Sequence, residues 1–211
     1  MARLIHPDGT VVAAPAAVAR AVAALGAHLD WRPPPSRILD LLVKPVLAEA
    51  EKATVLAAVD VHVAPWVERL VRRGRERGGR APETDVQSKS QSQSPARDLV
   101  VLHDGIANLA ALREQFAAPH RHDDDEVRYV VDGVGYFGFV AADGSQVLLE
   151  VAAGDYLEVP AGAEHWFALG ADPRLKAVRY FLGAPAWEAR YTGTSVMPVL
   201  KAAPLADLQR A

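Results

Sequence analysis

At 211 residues, 50% of them hydrophobic, the chain is long enough to bury the core of one domain, and a formal net charge of -3 argues against a surface built for nucleic acid. The absence of cysteine removes disulfide frameworks, thiolate zinc sites, iron–sulfur clusters and cysteine nucleophiles, so any metal must rest on His, Asp or Glu. A small molecule is the expected partner.

The opening "MARLIHPDGT" has no basic leader followed by an apolar core, and the alanine-rich run after it is broken by Pro15 and Arg20 well short of a membrane span. These features predict a soluble, cytoplasmic protein with no membrane partner. Val18, Val22, Leu25 and Leu29 fall on one face of a helix between Ala16 and Leu29, with Pro15 where a first turn tolerates it. Successive prolines make "WRPPPS" extended. A second helix is predicted over Val46 to Val59, and a third from Pro65, carrying Val67, Leu70 and Val71.

From Gly74 to Arg97 the composition turns to Gly, Arg, Ser, Gln and Lys, with Val86 the only large aliphatic residue, and predicts a disordered loop. The arginines between Arg69 and Arg80 read as a solvated helix end. After Asp98 the texture is short β-branched and aromatic runs, "DLVVL", "EVRYVVDGVGYFGFV", "QVLLEVA", "DYLEVP", "HWFAL" and "KAVRYFL", separated by Gly, Asp and Pro. Such spacing predicts an antiparallel sandwich or barrel. The stretch from Gly193 to Ala211 is compatible with a loose tail or a late helix.

The chemistry concentrates in "HRHDDDEVRY". In a strand, residues of one parity share a face, so His120, His122 and Glu126 project together, whereas a helix would set the two histidines nearly opposite one another. Consecutive acids diverge in any regular structure, so Asp123 to Asp125 read as a solvated turn. Gly133 and Gly135 suit a turn or bulge where the backbone passes close to another strand. Further on, "GDYLEVPAGAEHWF" places His165 after a Pro-Ala-Gly turn at the start of a strand.

These two segments resemble the two halves of the cupin signature, the first in His120, His122, Glu126 and Gly133, the second in Gly154, Pro160, Gly162 and His165. Glu114 and Leu169 depart from it, at positions that are not ligands. The implied fold is mainly β with α: a single-domain cupin, a double-stranded β-helix or jelly-roll-like barrel with a helical N-terminal portion. Residues 1–73 would form that portion, 74–97 the loop, 98–192 the metal-binding barrel and 193–211 the tail. Three imidazoles and a carboxylate suit a divalent first-row ion such as Fe, Ni, Mn or Co, with two positions left open for a chelating substrate.

Together with "KAVRYF" and "PAWEARYTG", the two segments resemble the acireductone dioxygenase family from about Asp98 to Gly193. The resemblance implies His120, His122, Glu126 and His165 as ligands of one Fe(2+) or Ni(2+). It implies Arg128 and Arg179 as holders of substrate charge, and Phe116, Phe167 and Trp187 as pocket lining. Independently, Arg128 keeps the strand parity of Glu126 and so faces the same cavity. Apolar neighbours in "AVRYF" favour an inward Arg179.

The implied reaction joins O2 to an acireductone, 1,2-dihydroxy-3-keto-5-methylthiopentene, in methionine salvage. The products are formate and a keto acid with iron, or formate, carbon monoxide and 3-methylthiopropanoate with nickel, and the family leans towards a monomer. The competing readings are a dioxygenase for another enediol, a metal-dependent sugar-phosphate isomerase and a non-catalytic ligand-binding cupin.

Overall fold

The computed structural model describes residues 1–76, 95–182 and 188–206. The first half holds β1 (Arg3–Ile5), β2 (Val11–Val12), α1 (Pro15–Ala24), β3 (His28–Trp31), a 3-10 turn at Ser36–Ile38, α2 (Leu39–Leu42) and α3 (Glu49–Glu76). The second half holds β4 (Ala96–Leu102), α4 (Leu109–Ala117), β5 (His120–Arg121), β6 (Glu126–Val140), β7 (Gln146–Ala152) and β8 (Asp155–Val159). It ends with β9 (Glu164–Ala168), β10 (Leu175–Phe181), β11 (Arg190–Tyr191) and α5 (Pro198–Ala202).

Strand β6 is the hinge of the architecture, because its 15 residues serve two antiparallel sheets. Its N-terminal part pairs with β8 and β10, and its C-terminal part pairs with β7 and β9. One sheet runs β11-β5-β9-β6-β7-β1-β2, and the other runs β3-β8-β6-β10-β4. This is the double-sheeted, jelly-roll-like arrangement expected from the sequence. It differs from a closed barrel: β2 and β11 end one sheet and β3 and β4 the other, so among the described residues the hydrogen bonding does not close on itself.

The two inner faces enclose Val130, Phe137, Phe139, Leu149, Leu157, Phe167 and Ala177, joined by Val18 and Val22 of α1. Alternation along the strands produces this face, since side chains two residues apart point the same way, and β6 switches parity across an irregularity near Asp132, so that Val130 and then Phe137 and Phe139 turn inward. On the outer face of the second sheet, α3 lays Val55, Val59, Val63, Val67 and Leu70 against Tyr129, Tyr156, Val178 and Tyr180. Each such burial contributes about 1.5–3 kcal/mol.

That ridge explains why α3 runs unbroken where two helices were expected. Pro65 lies inside it, on an exposed position, and the carbonyl of the well-exposed Val61 that loses its donor can turn to water. Burial on both sides of Pro65 outweighs the roughly 3 kcal/mol that an interior proline costs.

Three other expectations change. Helix α1 stops at Ala24 rather than reaching Leu29, because Gly26 adopts φ +80° and turns the chain into β3, where Leu29 lies. The first half is less purely helical than its periodicity suggested, since β1 joins β7 and β3 joins β8. Residues 74–76 belong to α3 and Ala96 already belongs to β4, while 77–94, the bulk of the predicted loop, lie outside the described residues. Near the C-terminus α5 buries Leu200 beside Ile5, Leu148 and Trp166.

Candidate metal centre

His120 lies on β5, His122 just beyond it, Glu126 opens β6 and His165 lies on β9. Register brings them together: His120 stands directly opposite His165 in the β5–β9 pair, and His165 stands opposite Phe139 of β6. Each of the four offers one donor atom, and these atoms all lie within 4.8 Å of one another. All four side chains are buried, Glu126 at 3% exposure.

Three carbonyl groups orient the imidazoles. The Nδ1–H of His120 donates to Ala118 O at 2.7 Å, that of His122 to Glu188 O at 2.8 Å, and that of His165 to Ala163 O at 3.0 Å. A carbonyl can only accept, so each Nδ1 carries its proton and each neutral ring keeps a lone pair on Nε2. Such contacts fix tautomer and ring direction in metal sites.

The spacing fits one ion. Donors about 2.0–2.2 Å from a metal and at right angles to each other lie about 3 Å apart. Glu126 Oε2 is 3.1 Å from His122 Nε2 and 3.1 Å from His165 Nε2. Three imidazoles and a carboxylate suit a divalent first-row ion.

Electrostatics prepare the carboxylate. Burial pushes the Glu126 carboxyl up, but the Arg128 guanidinium and the His122 and His165 contacts outweigh it and hold the group well below the ordinary carboxylate range. Arg128 Nε donates to Glu126 Oε1, and the guanidinium carbon lies 5.7 Å from the ring centres of both Phe137 and Phe167. Burial is also the largest influence on His120, whose pKa is lowered.

Phe116 of α4 meets Phe167 edge-on at 5.9 Å, and both line a cavity of about 480 Å³ whose wall includes Ala118, the residue whose carbonyl holds His120. Arg179 stands opposite Arg128 in the β6–β10 pair, and its guanidinium is gripped by both oxygens of Asp98 and lies 5.2 Å from the Phe181 ring. The inward Arg179 expected from its apolar neighbours is thus already engaged by a carboxylate. Trp187 lies outside the described residues.

Two of the three acids read as a solvated turn make specific contacts. Asp125 accepts the Ala161 N–H, which docks the Pro-Ala-Gly turn beside His122, and Asp123 pairs with Arg190. Gly162 N donates to His122 O in the same contact, with Gly162 at φ +78°.

The model of the ARD/ARD' family matches residues 50–189, which include strands β4 to β10 and all four donors. The chain belongs to that family. Among family relatives, the acireductone dioxygenase of Microcystis aeruginosa strain NIES-843 is 38% identical over 93% of this chain and 96% of its own length. That of Rhodopseudomonas palustris strain CGA009 is 35% identical over 92% of this chain and 98% of its own. A solved acireductone dioxygenase from Bacillus anthracis, with a cadmium ion in its active centre, superposes with a TM-score of 0.70 at 26% identity, covering 90% of this chain and 98% of that one. In this family member the backbone carbonyls of Ala118, Ala163 and Glu188 complete the centre, and no side-chain pattern announces them.

Proposed function

We propose that the chain is an acireductone dioxygenase acting in methionine salvage. The observation that carries this reading is the four-donor cluster, with every Nδ1 tied to a carbonyl and every Nε2 left to a ligand, in a chain of this family. Held by His120, His122, Glu126 and His165, an Fe(2+) or Ni(2+) ion would supply a Lewis acid that stabilises the deprotonated enediol.

The protein's own groups supply the rest. Arg128 neutralises charge beside the Glu126 carboxylate, and the Phe137 and Phe167 rings flanking its guanidinium keep that charge in a water-poor setting where it acts more strongly. Arg179, fixed by Asp98, stands on the same sheet face and adds positive potential toward an anionic substrate. Phe116 and Phe167 offer an apolar wall for a methylthio tail.

With iron, the overall change is acireductone plus O2 to formate and 4-methylthio-2-oxobutanoate; with nickel it is formate, carbon monoxide and 3-methylthiopropanoate. Among the described residues no helix is long and apolar enough to cross a membrane. Family resemblance favours a monomer, with the acireductone and O2 as its partners, and a cytoplasmic location belongs to the same proposal.

The test is oxygen uptake with product analysis on separately prepared iron-loaded and nickel-loaded protein. Keto acid from the first and carbon monoxide from the second support the reading. Metal-loaded protein that does not exceed spontaneous oxidation of the acireductone overturns the substrate assignment.

A further inference from the structure

His122 owes its orientation to a segment outside both cupin-like motifs. Its Nδ1–H donates to the carbonyl of Glu188, and the residues that follow form the edge strand β11, where Arg190 faces Arg121 and Tyr191 faces His120. A two-residue edge strand is too short to be stable on its own pairing. Two carboxylates, Asp123 and Glu164, help to hold it through side-chain contacts. Arg190 pairs with Asp123, but both side chains are about two-thirds exposed, at 66% and 68%, and exposed ion pairs contribute little.

The other contact centres on Glu164, whose side chain is only 7% exposed. Thr192 Oγ1 donates to Glu164 Oε1 at 2.7 Å, and Arg121 Nη2 donates to Glu164 Oε2 at 2.8 Å. Thr192 N–H also donates to Pro119 O at 3.0 Å, next to His120. One buried carboxylate, adjacent in sequence to His165, therefore ties the strap of residues 188–192 to β5 and β9.

We propose that Glu164 and Thr192 are positioning residues that act as a latch: they hold the strap so that the Glu188 carbonyl keeps His122 aimed at the metal, and the latch sets how long the metal stays bound. This rests on the metal-centre reading above. Loss of an outer contact to a ligating histidine typically costs 10–100-fold in metal affinity, and a released strap removes the contact of His122 while loosening the strand beside His120.

The experiment loads the full chain with Ni(2+), adds an excess of a chromogenic chelator, and follows nickel release from wild type, E164Q, T192V, T192S and R190A, with thermal melting of each metal-free protein in parallel. The expected result is release at least about tenfold faster from E164Q and T192V, near-wild-type release from T192S, which keeps the hydroxyl, and from R190A, with melting of the metal-free forms unchanged. Release from T192V and E164Q at the wild-type rate overturns the latch while leaving the metal centre intact. Faster release that tracks an equal loss of metal-free stability also overturns it. A wild-type chain that takes up no nickel sinks the metal-centre reading, and the latch with it.

Discussion

Arg179 and Arg128 stand directly opposite one another in the β6–β10 ladder, so two guanidinium groups leave the same face of one sheet. Like charges in such a pair destabilise a sheet. Each arginine here has a carboxylate beside it: Asp98 directly opposite Arg179 on β4, and Glu126 two residues along β6 from Arg128. Across the sheet the row runs Asp98, Arg179, Arg128 and Leu157, and Glu126 brings the donor cluster to Arg128 from along β6.

The substitution Arg179→Lys keeps the charge but loses the planar fork that Asp98 holds with two bonds. The expected outcome is full metal content with kcat/KM reduced by about tenfold, equivalent to ~1.4 kcal/mol of transition-state stabilisation. Steady-state kinetics and metal analysis on the same preparation check it; unchanged kinetics would leave Arg179 a structural partner of Asp98 alone.

His165→Ala removes a donor and leaves Glu126 Oε2 without one of its two imidazole neighbours. Removing a ligand is more severe than removing an outer contact, so metal affinity is expected to fall by more than about 100-fold. Metal content after gel filtration decides the matter. Retention of one ion per chain would remove His165 from the ligand set.

Much of this centre was legible because strand parity and ligand type coincide: His120, His122 and Glu126 share parity, and His165 follows a turn rich in Pro and Gly. What was not legible came from the backbone and from distant pairing. The carbonyls of Ala118, Ala163 and Glu188 carry no residue signature, and the partner of Arg179 is Asp98, 81 positions away in sequence. In the first half, β1 and β3 are three and four residues long, too short for a period-two pattern to register, and they are specified by the sheet edges they meet. Pro65 suggested a helix boundary because the buried ridge of α3 that overrides it becomes visible only against Tyr129 and Tyr156.

Gly138 offers a test of how the fold supports His165. A side chain there would put its Cβ 1.9 Å from Trp166 Cε2, so the buried indole lies directly on the glycine. The substitution Gly138→Ala forces Trp166 to move, and Trp166 adjoins His165 on β9. Overpacking of this kind costs about 1–3 kcal/mol. Urea unfolding of the metal-free protein is expected to show a loss of that size, with weakened metal retention alongside; equal stability would mean that the indole relocates freely.

Asp155 predicts a pH dependence of folding stability independent of the metal. It is 1% exposed, and burial raises its pKa above 3.8 despite the Ala152 N–H that its carboxylate accepts at 2.7 Å. A group whose folded pKa exceeds its unfolded one favours the native state in its protonated form. That contribution is complete below the unfolded value near 3.8 and disappears as the pH rises through the folded value. Asp155→Asn retains an oxygen able to accept from Ala152 and cannot ionise. The melting temperature of wild type minus that of D155N should therefore fall as the pH is raised from 4 to 7. A difference that stays constant, or grows with pH, would show that the buried carboxylate is better stabilised by its surroundings than by protonation.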